Sequence, residues 1–507
     1  MTPLQLRGPA PPATGHPRRA LLAGSAGNFV EWYEFGVYGC FATVIAARFF
    51  TPDTTTEPAG AGPLLATYAS FAVAFFFRPV GALLFGRLGD RVGRRPTLVL
   101  VVCLMTAATA LIGLLPTRET AGELAPWLLT LLRALQGLSA GGEFGGAVAL
   151  LTEYAPPGRR GRYGAWQSFT VALGLLAGAG TAASVATALS PAALYDWGWR
   201  IPFLLALPLG AVALWLRTGL AEPPGSPRGP EPRGLALGAR EPRACEPRAG
   251  EFPAPGPFGP EPSAPGSPPD GSSPASIPTA PIPTMPAPMM PAPTMPAPTA
   301  PIPTAPAPTV PGTARAVVLG IGRIMGWSAA GYTFLVVLPS HLQAALGASF
   351  QEALIATTVA NLGFAAAILP AGILSDRVGR RPVMLCGALC VTVFALPLLH
   401  LVQDPDASAP TKAAALLGAG AAVGLLAGPG PAMLAEMFPA SVRCTGLGLA
   451  YALANAVFSG CAGLLVTAVT AATGDTDVPA LYAAGACAVS AVALASLRRD
   501  DHLRPLR

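Results

Sequence analysis

Glu31 and Glu34 stand three residues apart in the stretch GNFVEWYEFGVYG, residues 27–39, among Trp32, Tyr33, Phe35 and Tyr38. On a helix, residues three apart share a face, and Tyr38, seven on from Glu31, joins it. The run around them is apolar. A charged group at mid-bilayer costs at least ~2.5 kcal/mol, so it normally faces a cavity or a partner and serves a function. Two carboxylates held close in a low dielectric can keep one proton between them and release it when water or a cation arrives. Proton coupling requires that behaviour. The plainer reading is structural: one or both carboxylates pair with an arginine of a neighbouring helix.

Such arginines exist. Arg78 lies in FFFRPVG, just before Pro79, where the missing backbone donor bends a helix. Arg133 opens RALQGLSAGGEFGGA, with Gln136 one turn on. Either arginine could neutralise Glu31 or Glu34, or meet a substrate carboxylate. In the same run Gly137, Gly141 and Gly145 recur at every fourth residue and leave one helix face bare for close packing. Packing explains the glycines but not Glu143, a further carboxylate and a proton or substrate candidate. The second half of the chain holds Arg323, Asn361 and Asn455 and few other strongly polar groups in its apolar runs. Proton handling is therefore assigned to the first half. The second half is expected to shape a cavity that Tyr332, Asn361 and Asn455 could line, with Trp327, Phe364 and Tyr451; for each ring alone, packing is the simpler account.

The elements that must position these residues follow from composition. The chain has 507 residues, 52% hydrophobic and 11% charged, with mean hydropathy +0.51. Soluble domains carry about 25% charged residues. The expected fold is an all-α polytopic membrane protein with twelve transmembrane helices in two six-helix bundles, each span needing about 20 apolar residues. A cytoplasmic tail over 1–19 precedes the first bundle, 20–221. The second bundle is 313–499, and residues 500–507 form a short cytoplasmic tail. Arg18 and Arg19 precede a run long enough to span and followed by further spans, which reads as a first transmembrane helix, not a cleaved signal.

Arginines between spans two and three, four and five, eight and nine, and after twelve all fall on one side; acids such as Glu119, Glu123, Asp404 and Asp475 fall on the other. Excess arginine marks the cytoplasmic face of a cell membrane. Two of these loops repeat: residues 86–96 read GRLGDRVGRRP and residues 372–382 read GILSDRVGRRP. Matching positions in two six-span halves imply internal duplication. The order of Gly86, Asp90, Arg91, Gly93, Arg94 and Arg95, and of Asp376, Arg377, Gly379, Arg380 and Arg381, exceeds a topology signal. An aspartate there can cap a helix N-terminus and pair with arginines of another span, latching one face shut.

Residues 222–312 collapse into Pro, Ala, Thr, Gly and Ser, with the degenerate repeat PTMPAPMMPAPTMPAPTAPIPTAPAPTV. Proline at that density forbids helix and supplies no core, so a disordered cytoplasmic linker of polyproline II character is expected. It offers PxxP sequences to a partner, although a tolerated low-complexity expansion is the plainer reading.

The composition excludes several functions. The net charge of +6 is spread over loops and argues topology, not nucleic-acid binding. Lys412 is the only lysine, so no Gly-rich phosphate loop with its lysine exists, and no enzyme signature appears. The energy source is then an ion gradient. Cys386 and Cys390 share a helix face but lack further ligands, so no metal or cofactor is expected.

The chain resembles the major facilitator superfamily and, within it, the metabolite–proton symporter family. The resemblance rests on GNFVEWYEFGVYG, FFFRPVGALLFGRLGDRVGRRPTL, LQGLSAGGEFGGA, DWGWRIPFLLALPLG and AEMFPASVRCTGLGLAY, and covers all twelve spans. It implies two bundles around a central cavity, alternating access, and a small substrate carried with protons in membrane lipid. RPVGALLFGRLGD and DWGWRIPFLLALPLG look closest to the proline/betaine branch; 2-oxoglutarate, citrate and shikimate carriers are the alternatives. The family usually has Asp where Glu34 stands. An exporter would show a more apolar cavity with fewer buried carboxylates, and a receptor would depend on the linker; both fit the sequence less well.

Overall fold

The computed structural model describes residues 17–52, 61–92, 94–141, 144–153, 155–218, 310–439 and 442–498. The Pro-rich linker up to residue 309 and the tail 500–507 lie outside them, as do Glu143 and Gly93 and the side chains of Asp90, Arg91, Arg94 and Arg95.

Apolar runs broken by Gly, Pro and charged loops give helices and, among the described residues, no strand. The first, α1, is Pro17–Cys40 and continues through Ala42–Ile45 into a π turn, Ala46–Phe50. Then follow α2 (Ala61–Val92), α3 (Arg94–Leu114) and α4 (Leu124–Ala140), which resumes as Phe144–Glu153. After them come α5 (Arg160–Ala188) and α6 (Pro191–Thr218). The second half begins with α7, Val310–Tyr332, which passes through a π segment, Thr333–Val337, to Leu338–Leu346. It continues with α8 (Phe350–Val378), α9 (Arg380–Gln403), α10 (Ala409–Met437), α11 (Arg443–Thr473) and α12 (Val478–Ala495). Ten of these are long and apolar enough to cross a membrane. The other two are α1, which carries Glu31 and Glu34, and α4, whose first part is 17 residues long.

Local chemistry sets the ends. Ser349 and Glu352 form a reciprocal capping box that starts α8. Between α8 and α9 the chain turns at Gly379 with φ 98°, a conformation only glycine adopts without strain. Large apolar side chains such as Trp127, Trp215, Leu83 and Val492 point outward and exposed, as a lipid-facing surface requires.

Interior contacts rest on small residues. A Cβ at Gly137 would strike the Ala74 carbonyl oxygen, and one at Gly141 the Arg78 carbonyl oxygen, so α2 and α4 touch backbone to backbone. The second half repeats this: Gly363 and Gly420 bring α8 against α10 in the same way. Gly145, the third glycine of the α4 series, faces Cys444 of α11. The close approach of α2 to α4 is what carries Arg133 and Gln136 up to α1.

Candidate functional site

Four ionisable side chains are buried where α1, α2 and α4 meet: Glu31, Glu34, Arg78 and Arg133. They fall into two pairs. Arg78 Nη2 lies 2.7 Å from Glu31 Oε1. That nitrogen has no aligned hydrogen bond, so charge holds the pair. Glu34 and Arg133 communicate through Gln136. The amide oxygen of Gln136 accepts from Arg133 Nη1 at 2.7 Å. Its Nε2 donates to Glu34 Oε2 at 3.3 Å and to Thr109 Oγ1 of α3 at 2.7 Å. Glu34 Oε1, Arg133 Nε and Arg133 Nη2 are buried without a hydrogen-bond partner. These atoms make no hydrogen bond to a protein group, so they have the capacity to take a substrate group or, on Glu34, a proton.

Aromatic rings form the walls. The Arg78 guanidinium carbon lies 4.4 Å from the centre of the Phe75 ring, and that of Arg133 lies 4.0 Å from the Tyr38 ring. Both also stand within 5 Å of Phe35, at 4.8 and 4.9 Å. Tyr38 donates or accepts with Ser70 Oγ at 2.6 Å, which fixes its ring beneath Arg133. A narrow cleft beside the Glu31–Arg78 pair is lined by Asn28, Glu31, Trp32, Arg78, Phe144 and Tyr451. Tyr451 belongs to α11, so both halves line it. Phe144 and Tyr451 stack face to face, with centres 3.4 Å apart and planes at 6°.

The halves also meet at their ends. On the arginine-rich face the Asp376 carboxylate accepts from the backbone N–H groups of Gly161 (2.7 Å) and Arg162 (2.8 Å), the first turn of α5. Arg380 Nη1 donates to the same carboxylate at 2.8 Å, and Arg380 Nη2 to Glu436 at 2.9 Å. Arg443 Nη1 donates to Glu153 at 2.6 Å. On the other face Tyr68 and Ser340 hydroxyls meet at 2.5 Å, and Thr43 donates to Gln343 at 2.9 Å. Among the described residues the two halves therefore touch at both ends.

The structure thus gathers Glu31, Glu34, Tyr38, Arg78, Arg133 and Gln136 into one cluster. It sets Asp376 and Arg380 at an interface between the halves and Gly379 at the turn behind them, while Arg377 is exposed and Arg381 half-buried. Glu143 and the first-half loop, Gly86 and Asp90 to Arg95, cannot be placed in it, because their side chains lie outside the described residues. Tyr332 packs against the aromatic wall, its ring 5.2 Å from that of Phe75. Asn361 donates to the Leu335 and Thr357 carbonyls and Asn455 to that of Tyr451, while Asn455 Oδ1 accepts from Ser459 and Asn361 Oδ1 makes no hydrogen bond to a protein group. Sequence reasoning missed Thr109, Phe75, Glu153 and Phe71, whose ring centre lies 4.9 Å from the Arg133 guanidinium carbon. Phe75 had a signal, since it precedes Arg78 by three and shares its helix face.

The sequence profile described as sugar (and other) transporter matches residues 20–228, and that of the major facilitator superfamily matches residues 317–506. The ectoine/proline transporter ProP of Corynebacterium glutamicum is 31% identical over 482 residues, covering 94% of this chain and 83% of the relative. The alpha-ketoglutarate permease of Escherichia coli (strain K12) is 32% identical over 452 residues, covering 87% and 85%. Among solved structures, a D-xylose-proton symporter superposes with a TM-score of 0.63 at 16% identity, covering 94% of this chain and 97% of that one.

Proposed function

The chain belongs to the major facilitator superfamily, and from that premise we propose that it imports a small zwitterion such as proline or glycine betaine together with protons, by alternating access. The observation that carries this reading is the Glu34–Gln136–Arg133 chain with its open atoms on both charged groups.

The buried cluster holds two carboxylates and two guanidinium groups, so it is neutral when both glutamates are ionised. Protonating Glu34 leaves Arg133 without its balancing charge. An uncompensated buried charge is costly, on the order of 3–5 kcal/mol when one partner of a pair is lost. A substrate carboxylate on Arg133 Nε and Nη2 gives that arginine a partner again, and a zwitterion, having no net charge, leaves the loaded site with only the proton's single positive charge. Proton and substrate therefore bind more readily together than apart, which is the thermodynamic content of symport. Gln136 holds the two groups in register without pairing them directly, so each stays available. Glu31 and Arg78 complete the neutral set.

Closure at the arginine-rich face, which we assign to the cytoplasm, rests on Asp376 at the start of α5 and on Glu153–Arg443. Both must open for release. The relatives point to two substrate classes. ProP favours the zwitterion; the permease, together with two buried arginines, supports a dicarboxylate as the second reading.

Uptake of labelled proline, glycine betaine and 2-oxoglutarate into cells lacking their own carriers, with and without a protonophore, tests this. Proline or betaine uptake that collapses with the protonophore supports the leading reading. Uptake of 2-oxoglutarate alone selects the second, and uptake indifferent to the protonophore refutes proton coupling.

A further inference from the structure

Arg78 stands over three aromatic faces at once. Its guanidinium carbon is 4.4 Å from the centre of Phe75, 4.8 Å from Phe35 and 5.7 Å from Trp32. Glu31 supplies the counter-charge. Ring faces are the negative part of an aromatic quadrupole, and several of them around one cation form the arrangement that recognises substituted ammonium groups. Such a cation has few or no N–H groups to satisfy, so rings and one carboxylate suffice. The wall continues into the second half of the chain. Tyr332 of α7 meets Phe75 edge-on at 5.2 Å and 89°, and lies 5.9 Å from Trp32. Its hydroxyl is buried without a partner. Arg78 is held by charge and ring contacts, with no directed hydrogen bond to fix it: Nε has no partner, and Nη2 faces Glu31 at 2.7 Å without an aligned hydrogen bond.

We propose that this box of Trp32, Phe35, Phe75 and Glu31 is the seat of the substrate's ammonium group, and that in the empty carrier the guanidinium of Arg78 occupies it as a stand-in. The proposal rests on the zwitterion reading above. On binding, the substrate's cation takes the rings and Glu31. Arg78 leaves and joins Arg133 on the substrate's carboxylate; both guanidiniums already lie against the same ring, Phe35. With Glu34 ionised every charge has a partner: two carboxylates face two guanidiniums before the exchange, and three negative groups face three positive ones after it; protonating Glu34 adds the single positive charge that travels with the substrate. Specificity follows. A cation without a carboxylate strands Arg78, and an anion without a cation cannot use the box. Each methyl group on the nitrogen adds apolar burial against the rings, about fourfold in affinity per carbon. Tyr332 contacts the rings from the other half, so filling the box couples to closure.

The test uses the full-length chain in proteoliposomes. Glycine and its mono-, di- and trimethylated forms compete with labelled glycine betaine, beside choline and 2-oxoglutarate. The expected result is a fall in inhibition constant of about fourfold per methyl group, with choline and 2-oxoglutarate weak. In Trp32→Leu the steps shrink toward one, and Trp32→Tyr restores them. A flat series in the unmodified protein overturns the proposal without recourse to any variant. So does an unchanged gradient in Trp32→Leu present at normal amounts. If 2-oxoglutarate alone is carried, sensitive to a protonophore, the box is refuted and proton coupling survives. A graded series indifferent to the protonophore upholds the box and refutes the coupling.

Discussion

Glu153 and Arg443 lie in opposite halves of the sequence, 290 residues apart, and their side chains meet at 2.6 Å. The two ends of this bridge differ. Arg443 is buried and also donates to the carbonyls of Ala435 and Phe438, so it is built into its own half. Glu153 is 46% exposed on the side chain. Losing a partly exposed carboxylate partner is worth roughly 0–1 kcal/mol. Glu153→Gln should therefore shift the closed-to-open balance by about fivefold at most and leave the fold intact. Alkylation of a cysteine placed at Ser168, whose hydroxyl donates to Ala427 of the other half at 2.7 Å, reads this from inverted vesicles. Faster labelling in Glu153→Gln is expected; an unchanged rate means the bridge does not hold that face.

The α2–α4 contact makes a sharper prediction. Gly137→Ala drives a methyl into the Ala74 carbonyl, a backbone atom that cannot rotate aside. Overpacking of this kind costs about 1–3 kcal/mol. It should lower the thermal midpoint of the detergent-solubilised protein by several degrees and disturb Gln136 next door. Gly146→Ala, with open space around it, should melt like the unmodified chain.

The linker gives a prediction of tolerance. Its composition cannot build a core, and the entropic cost of closing a tether grows only as the logarithm of its length. Replacing residues 222–309, which stop short of α7, by a Gly/Ser segment of half that length should leave uptake within about twofold. Loss of uptake with normal insertion would show that the linker recruits a partner the carrier needs.

How much of this was legible in the sequence depends on what each residue reports. The spans followed from apolar length, because that is a property of a single segment. The pairing of the cluster was not legible. Either arginine could have faced either glutamate, since a helix apolar on most sides has no amphipathic stripe to fix its rotation. The structure gives Glu31 to Arg78 and links Glu34 to Arg133 through Gln136. Thr109 carried no signal, because a threonine in a helix ordinarily bonds back to its own turn, and this one also does so, to Met105 at 3.0 Å. The aromatic wall was half visible: Trp32 and Phe35 flank the glutamates, but Tyr332 lies 300 residues from Trp32, beyond the reach of any local pattern.

Glu34→Gln is the decisive substitution. The amide keeps the size of the carboxylic acid and holds it permanently neutral, as in the proton-loaded state. Arg133 then lacks its balancing charge at every pH and is always ready for a substrate carboxylate. In the unmodified carrier, falling pH loads Glu34 and so should raise substrate affinity; in Glu34→Gln that affinity should be high and flat from pH 5 to 8. Counterflow exchange of substrate should persist, because it needs no net proton movement. Accumulation against a gradient should vanish, because the empty carrier can neither release nor reload the proton and would have to return with Arg133 unbalanced, on the order of 3–5 kcal/mol uphill. Binding curves at several pH values, set beside uptake with and without an imposed proton gradient, check both halves of this. Accumulation at normal levels in Glu34→Gln would move the coupling proton to another carboxylate, with Glu31 the next to replace.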